Sequence, residues 1–315
     1  AVTGVLKNRS GKSRLWLMGD MLVCAARYNA GYMDNMIAQM YRLGDAQRRT
    51  VLTRGINNQM VRRLNDKAFW HAFDDKAEFN HTFGKWISRE WIQSDANIST
   101  QELGLFLSGK KTVFVKPLEG SSGQGIVRFE EKDWLDLDAF ADKIRTAGVC
   151  IIEEGIVQHE KMSELNPNSV NTVRIATVLG DRQEGIVYAF LRIGNGKIMD
   201  NVDCGGMAAR VDLQSGKLLT VAADKAGNTF NRHPITGTEI IGFELPHFDA
   251  AKTMCLEAMM LVPQMKYVAW DVALTQIGPT LIEGNSFPSH AVPQFAAHYP
   301  DGVGILPEFQ KFISI

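Results

Sequence analysis

Three oxygen-bearing side chains near the end of the chain could together hold a metal ion. Asp271 lies inside an apolar run, and Glu283 and Asn285 follow another apolar run. Residues two apart on a strand point to one face, so Glu283 and Asn285 share a face, and Asp271 can approach it if the strands pair across a turn at Gly278. Two carboxylates and an amide oxygen are hard ligands of the kind that Mg²⁺ prefers. Each acid alone would more often be a solvated strand-end residue.

A lysine beside a glycine-rich loop supplies a candidate site for an anion. The apolar run Thr112–Val115 predicts a buried strand that delivers Lys116, and Ile126–Phe129 predicts the next strand. Between them, Glu119–Gly125 contains three glycines and two serines. Such a loop turns tightly and aims backbone N–H groups and hydroxyls at an anion. A strand lysine next to it suits a nucleoside triphosphate, and a glycine-rich hairpin with a solvated lysine is the alternative.

Acidic and polar residues after the predicted strand at 149–153 could meet a nucleoside. Two adjacent glutamates, Glu153 and Glu154, would be unusual in an apolar core. Backbone groups of Glu154 and Ile156 could contact an adenine edge while a carboxylate accepts from its amino group. Ribose hydroxyls could be reached by Gln158, His159 or Glu160. A solvated charge cluster is the alternative.

Two arginines complete the set of candidate catalytic residues. Arg174 lies within the predicted strand Val170–Leu179, where a buried charge needs an anionic partner. Its planar guanidinium suits phosphate, and a salt bridge to an acid is the alternative. Arg210 could hold a carboxylate as a bidentate pair or form a structural ion pair. His233 could contact a substrate or belong to a turn.

The composition is that of a globular protein without a basic footprint. The 315 residues are 45% hydrophobic and 22% charged, with a net charge of −1, so nucleic-acid binding is not indicated. Four dispersed cysteines without a CxxC pair are typical of reduced thiols in a cytosolic protein. The apolar stretch Leu15–Ala26 follows basic residues as in a signal peptide, but it contains Asp20 and is too short to cross a bilayer. We interpret it as a core-facing helix and expect no membrane span.

The spacing of apolar residues predicts an α+β fold. Helical spacing predicts helices at Leu15–Tyr28, Asp34–Leu43, Asn57–Trp70 and Asp75–Ile92. From about residue 111, short alternating runs separated by turns predict antiparallel strands. We therefore expect a mostly helical N-terminal region over residues 1–100, a small subdomain with the glycine-rich loop over 101–160, and a C-terminal subdomain with the metal and substrate site over 161–315.

The order of these features resembles the ATP-grasp superfamily. The resemblance rests on Lys116 with its glycine-rich loop, the Glu-Glu-Gly-Ile stretch at 153–156, the strand arginine, and the final Asp…Glu-x-Asn. Leu165–Arg174 is similar to the branch associated with sugar transfer, which includes teichuronopeptide-type proteins. The likeness covers roughly residues 66–295, with further similar stretches at 75–80, 89–91, 205–217, 233–237 and 245–246.

The resemblance implies an ATP-grasp fold, in which two α+β subdomains grip ATP, with ATP and Mg²⁺ as cofactors. By position, Lys116 would contact the phosphates, together with Lys76 or its rival Lys67, and Arg174 would face the transferred phosphoryl group. The lid over the phosphates would comprise Ser121, Ser122, Gly123, Gln124 and Gly125. The adenine and ribose contacts would come from Glu153, Glu154, Ile156, Gln158 and Glu160. The metal ligands would be Asp271, Glu283 and Asn285.

The resemblance also implies a reaction. ATP-grasp enzymes commonly convert a carboxylate to an acyl phosphate that an amine or thiol attacks. We therefore expect a cytoplasmic carboxylate–amine ligase that acts on small molecules, joining an amino acid to a sugar acid or amino sugar in surface-glycan (polysaccharide) or secondary-metabolite biosynthesis. A kinase with a hydroxyl acceptor and a non-catalytic nucleotide-binding subunit are the alternatives, and a homodimer is left open. The intact metal and lysine positions disfavour the non-catalytic alternative.

Overall fold

Two antiparallel β-sheets organise the chain in the computed structural model, which describes residues 2–95, 97–120, 125–196 and 200–314. The strands are β1 (Trp91–Ser94), β2 (Thr112–Pro117), β3 (Val127–Glu130), β4 (Cys150–Glu154), β5 (Val173–Leu179), β6 (Glu184–Ile193), β7 (Met207–Arg210), β8 (Ala222–Ala223), β9 (Thr229–Phe230), β10 (Tyr267–Thr275) and β11 (Gly278–Asn285). The helices are α1 (Val2–Ser10), α2 (Arg14–Tyr28), α3 (Tyr32–Ile37), α4 (Asp45–Arg48), α5 (Arg54–Leu64), α6 (His71–Asp74), α7 (Lys76–Thr82), α8 (Thr100–Leu107), α9 (Leu137–Ala147), α10 (Glu160–Leu165), α11 (Phe248–Met259) and α12 (Leu306–Gln310).

The larger sheet has the strand order β11-β10-β5-β6-β7-β8-β9. Its second strand, β10, is buried along its whole length, which matches its nearly continuous apolar sequence. On one face, Trp270 packs against Phe73 and Phe83, with ring centroids 5.8 and 5.2 Å apart, and α11 covers the rest. Aromatic burial of this size is a major share of the hydrophobic stabilisation.

The opposite face of the larger sheet is half apolar and half polar. Its apolar half, with Tyr188, Tyr267 and Ala269, packs against α5, α12 and the segment at 291–299. Its polar half carries Asp271 and Arg174, which are register partners. Cross-strand partners of an antiparallel pair project to the same side, so the polar half opens beside the apolar half.

The smaller sheet has the order β1-β4-β2-β3 and packs on α8 and α9. Ser99 caps α8 by accepting from the backbone N–H of Glu102, and Gly148 ends α9 with a positive φ of 76°. The predicted helix over Asp75–Ile92 is wrong at its end, because Trp91 and Ile92 lie in β1. Pairing with β4 overrides the helical spacing there. The smaller sheet thus includes a strand that precedes residue 101.

The expectation that the helix at Leu15–Ala26 faces the core holds for one side of that helix only. In α2, Leu15 is 82% exposed and Leu22 is 71% exposed. The helix meets the protein along a narrow seam that includes Leu17 and Cys24. Among the described residues we find no helix with the length and apolar character needed to cross a bilayer. The stretch Lys217–Val221 forms only the isolated bridges Val211–Leu218 and Lys217–Glu244.

Gly284 in β11 provides a test of how the aromatic core positions the last strand. A Cβ at this position would lie 2.8 Å from Cδ1 of Phe73. We expect Gly284→Ala to lower the free energy of unfolding by about 1–3 kcal/mol, because the rings must shift or the strand must move. Urea denaturation measures this. As a control, Gly19→Ala in α2 places its Cβ more than 4 Å from any neighbour and should not destabilise; equal losses in both variants would contradict the packing argument.

Candidate active site

A row of residues crosses five strands of the larger sheet on its polar side. The register pairs Asp271 with Glu283 on one side and with Arg174 on the other, and Arg174 continues through Phe190 to Arg210. Three predicted metal and phosphate residues, taken from three strands, therefore lie side by side. The β10–β11 pairing skips one residue next to Asp271, a bulge of the kind often found beside active sites.

Asp271 is the most highly bonded carboxylate of this row. Its oxygens accept from Nε and NH2 of Arg174, each at 2.6 Å, and from NH2 of Arg192 at 2.7 Å. The side chain has no exposed surface. Burial alone would raise the pKa of Asp271, but the two guanidinium groups outweigh it and hold that pKa well below its usual range. Asp271 is therefore a carboxylate anion with both oxygens occupied.

Glu283 lies beside Asp271 but faces the open cleft. Its Oε1 is 3.9 Å from NH2 of Arg174, and 47% of its side-chain surface is exposed. Crowding by protein atoms and the negative charge of Asp271 raise the pKa of Glu283 to about 7. The two carboxylates thus differ: one is ionised and enclosed, and the other changes its protonation near neutral pH.

Asn285 presents its side-chain oxygen on the same strand, and the residues that the structure describes donate no hydrogen bond to it. Its Nδ2 donates to the carbonyl oxygen of Ala269 at 2.9 Å, which orients the amide. Across the described ranges, no group of three His, Cys, Asp or Glu side chains is close enough to hold a metal by itself. The predicted metal set mixes two acids with an amide. Glu283 and Asn285 offer oxygens that suit a hard cation, whereas Asp271 is fully buried and accepts three hydrogen bonds from Arg174 and Arg192.

Glu153 in β4 holds two cations together and ties the sheets to each other. One carboxylate oxygen accepts from Lys116, and the other accepts from Arg89 at 2.7 Å and from Asn80 at 3.0 Å. Burial would raise the pKa of Glu153, but Lys116 and Arg89 lower it far below its usual range. Glu153 therefore pairs with two cations of the protein itself, and its predicted adenine contact stays a prediction.

Arg89 extends this contact to the strand that carries Glu283. Its guanidinium donates to the carbonyl oxygens of Leu281 at 2.7 Å and of Ile282 at 3.2 Å. Ile282 is the residue skipped in the β10–β11 register. A continuous path of hydrogen bonds therefore runs from Lys116 in the smaller sheet to the bulge next to Glu283 in the larger one.

Lys76, the second lysine predicted to contact the phosphates, lies near Lys116. Lys76, at the start of α7, donates to the carbonyl oxygens of Leu118 and Gly120, both at 3.2 Å, just before the glycine-rich loop. Burial lowers the pKa of Lys76; the nearby carboxylate of Glu283 opposes this and Lys116 adds to it. Its rival Lys67 is exposed in a 3₁₀ turn. Among the loop residues, Gly125 has a φ of 73°, and Ser121, Ser122, Gly123 and Gln124 lie outside the described residues.

The residues predicted to contact the nucleoside differ in how accessible their side chains are. Gln158 is buried, and its side chain is bonded to Asn166, Ser169 and Asn171. Its predicted ribose contact is therefore corrected: the amide stabilises the loop. Glu160 is exposed at the start of α10, and Glu154 and Ile156 are half-buried.

The two residues predicted to contact a substrate, Arg210 and His233, also differ in accessibility. Arg210 is half-buried, and its guanidinium carbon lies 4.6 Å from the ring centroid of Tyr299. Within the described residues it forms no salt bridge, so the structural ion-pair alternative is not observed. His233 is buried, its Nε2 bonds to the carbonyl of Gly194 at 2.8 Å and its Nδ1 accepts from Thr236. His233 belongs to a turn.

Three further residues of the site were missed by sequence reasoning. Arg192 bonds both Asp271 and Oγ1 of Thr172, and Asp200 accepts from the backbone N–H of Thr172 at 2.7 Å. Arg89 was quoted only as part of a resemblance. The sequence could have indicated Arg192, because it is a second arginine within an apolar strand. Asp200 has no comparable signal in its surroundings.

His290, on the loop that follows Asn285, pairs with Asp34 of α3. His290 Nε2 bonds Oδ1 of Asp34 at 2.8 Å, and the other oxygen of Asp34 accepts from the backbone N–H groups of Gly31 and Arg54 at 2.6 and 3.0 Å. Asp34 is buried, and 15% of the His290 side chain is exposed. An imidazole held by a buried carboxylate in this manner has the arrangement of a general base.

Comparison with known proteins decides the family. The family model described as sugar-transfer associated ATP-grasp matches residues 55–312. The chain belongs to this family. By sequence it matches none of the curated proteins. The match includes every predicted site residue of this ATP-grasp protein and begins at the start of α5.

Solved structures similar to the ATP-grasp chain include three with ligase or synthetase names. The ATP-grasp ligase PsnB, solved with a phosphomimetic variant of its minimal precursor, Mg and ADP, has 11% identity and a TM-score of 0.46, with 82% of this chain and 65% of that chain covered. D-alanine–D-alanine ligase from Bacillus anthracis has 14% identity, coverages of 81% and 73%, and a TM-score of 0.45. N5-carboxyaminoimidazole ribonucleotide synthetase, solved with ADP, has 12% identity, coverages of 74% and 52%, and a TM-score of 0.45. The chain thus spans just under two thirds of PsnB.

The raised pKa of Glu283 predicts a pH-dependent stability. The proton that the folded state holds at Glu283 stabilises it below the ordinary pKa of 4.5 and is lost as the pH rises through about 7. Relative to Glu283→Gln, the wild-type free energy of unfolding should therefore fall over this range. We expect a fall of about 1 kcal/mol, because water screens the half-exposed side chain. Urea denaturation of both proteins between these pH values measures it, and a difference that does not vary with pH would contradict the assignment.

Proposed function

We propose that this protein is an ATP-dependent carboxylate–amine ligase that acts through an acyl phosphate. The observation that carries the proposal is that four cations, Lys76, Lys116, Arg174 and Arg192, lie near the carboxylates of Glu153, Asp271 and Glu283. Lysines and arginines gathered in this way are suited to a triphosphate and to the charge that spreads over a transferred phosphoryl group.

The two lysines would contact the phosphates directly, and the metal residues would contact them through Mg²⁺. Lys116, held by Glu153, and Lys76, held over the start of the glycine-rich loop, would contact the phosphate oxygens. Glu283 and Asn285 would hold Mg²⁺, with Asp271 as the third predicted ligand. When bound, Mg²⁺ supplies neutralisation of the β- and γ-phosphate charge.

The reaction would proceed in two balanced steps. A substrate carboxylate attacks the γ-phosphorus, the bond to the β-phosphate oxygen breaks, and ADP leaves. An amine then attacks the acyl carbon, and phosphate leaves with the electron pair of the broken C–O bond. Arg174 and Arg192 would stabilise the charge of the first step, and Arg210 would bind a substrate carboxylate as a bidentate partner.

The amine must lose a proton in the second step. We assign this proton to His290, whose loop continues directly from Asn285 and whose ring is held by Asp34. The substrates would be an amino acid and a sugar acid or amino sugar of surface-glycan biosynthesis. The family's association with sugar transfer supports this class.

Trapping the intermediate tests the proposed reaction. We expect ADP release to require both a carboxylic acid and an amine, and hydroxylamine to yield a hydroxamate of the acid. Glu283→Gln should reduce ADP release at least about a hundredfold by replacing a negatively charged metal ligand with a neutral amide, while its circular dichroism spectrum stays native. A stable phosphate ester on an alcohol, with no hydroxamate, would instead identify a kinase and refute the ligase.

The role of His290 has a separate test. Hydroxylamine is largely unprotonated at neutral pH, so it needs no base to become a free nucleophile. The ammonium group of an amino acid must first lose a proton to a base. His290→Gln should therefore reduce amine coupling at least about a hundredfold and change hydroxamate formation little. His71→Gln, at an exposed histidine of α6, is the matched control. Equal losses with both nucleophiles would indicate that His290 is structural.

A further inference from the structure

One apolar face of α2 has no partner among the residues that the structure describes. It consists of Leu15, Met18 and Leu22, at helical spacing, flanked by Trp16 and Val23. Their exposed fractions are 82, 52, 71, 44 and 45%, respectively. Exposed apolar side chains are ordinary when single, but a contiguous group of five on one helix indicates a binding surface.

Contacts made by the opposite side of α2 hold the helix so that this apolar face points away from the protein. Leu17 and Cys24 are buried, Tyr28 bonds the carboxylate of Asp45, and Asp20 forms a 2.8 Å salt bridge with Arg48. Since a helix presents side chains 100° apart, the residues between these anchors point away from the protein. The apolar face is therefore presented outward by a helix that is held in place.

The segment that carries this face is strongly basic, although the protein is not. Residues 2–28 contain five basic residues and one acidic residue, a net charge of +4, within a chain of net charge −1. None of Lys7, Arg9, Lys12 and Arg14 has a salt bridge within the described part of the chain. Lys12 lies at the face itself, with its Nζ 4.1 Å from the ring centroid of Trp16.

We propose that the apolar face of α2 docks on the surface of an anionic lipid bilayer. A short helix with a continuous apolar face, a tryptophan and flanking lysines or arginines is suited to lie in the interface plane. With 15 residues, α2 is about 22 Å long, and its anchored side keeps it parallel to the protein surface. The basic residues complement anionic headgroups.

The same charges disfavour a second copy of the chain as the occupant. In a symmetric dimer, each α2 would pack against the other, and two segments of net charge +4 would be brought together. Like charges placed opposite each other oppose association. An anionic surface removes this repulsion and adds attraction.

Vesicle cosedimentation of the full chain tests the proposal. We expect binding to phosphatidylcholine vesicles that contain about one third phosphatidylglycerol and little binding to pure phosphatidylcholine. Leu15→Ser with Leu22→Ser should weaken binding at least about tenfold, as should Lys12→Glu with Arg14→Glu. These side chains are exposed, so the variants should fold, which circular dichroism checks.

A matched control removes two equally exposed apolar side chains elsewhere. Leu135, 82% exposed, and Ile277, 89% exposed, lie outside the N-terminal helices. Leu135→Ser with Ile277→Ser should leave vesicle binding unchanged. The proposal is overturned if wild type does not bind the anionic vesicles, or if the control weakens binding as much as the α2 variants. It is also overturned if sedimentation velocity without vesicles shows a dimer that Leu15→Ser with Leu22→Ser dissociates.

Discussion

The carboxylate of Asp271, shared by two arginines from two other strands, is the interaction on which the polar half of the larger sheet depends. Arg174 and Arg192 would be unpaired buried cations without it, and Asp271 would be an unpaired buried anion without them. Removing one partner of such a pair typically costs about 3–5 kcal/mol, because the charge left behind has lost its hydration. The pairing register of β10, β5 and β6 therefore determines where the two arginines that face the cleft lie.

Glu153 repeats this arrangement in the smaller sheet and links it to the larger one. It orients Lys116, and through Arg89 it is connected to the carbonyl groups at the β11 bulge. The two carboxylates thus act on opposite walls of one cleft: each neutralises cations of its own wall, and neither is exposed. The exposed acid, Glu283, lies where the walls meet. This separation leaves positive charge and one titratable carboxyl facing the space where the proposed reaction would occur.

The region before the match to the family differs in character from the rest of the molecule. From residue 55 onward, apolar side chains are gathered into cores on both faces of the larger sheet. In α2, by contrast, apolar and basic residues lie together at the surface. A helix whose apolar side points outward contributes little to the folding free energy, so its composition reflects contacts made outside this chain.

Local pattern was enough to predict the α+β class and most strands, and it singled out the acids, the lysine and the arginine as candidates for a site. These depend on spacing, turn residues and the cost of placing charges in apolar strands, all of which can be read along the chain. The partners of those residues could not be predicted, since Glu153 meets Arg89, Asp271 meets Arg192, and Asp34 meets His290 across long sequence separations. The same limit explains the exposed apolar side of α2: periodicity identifies apolar positions, but only the packing of neighbouring elements decides which of them are covered.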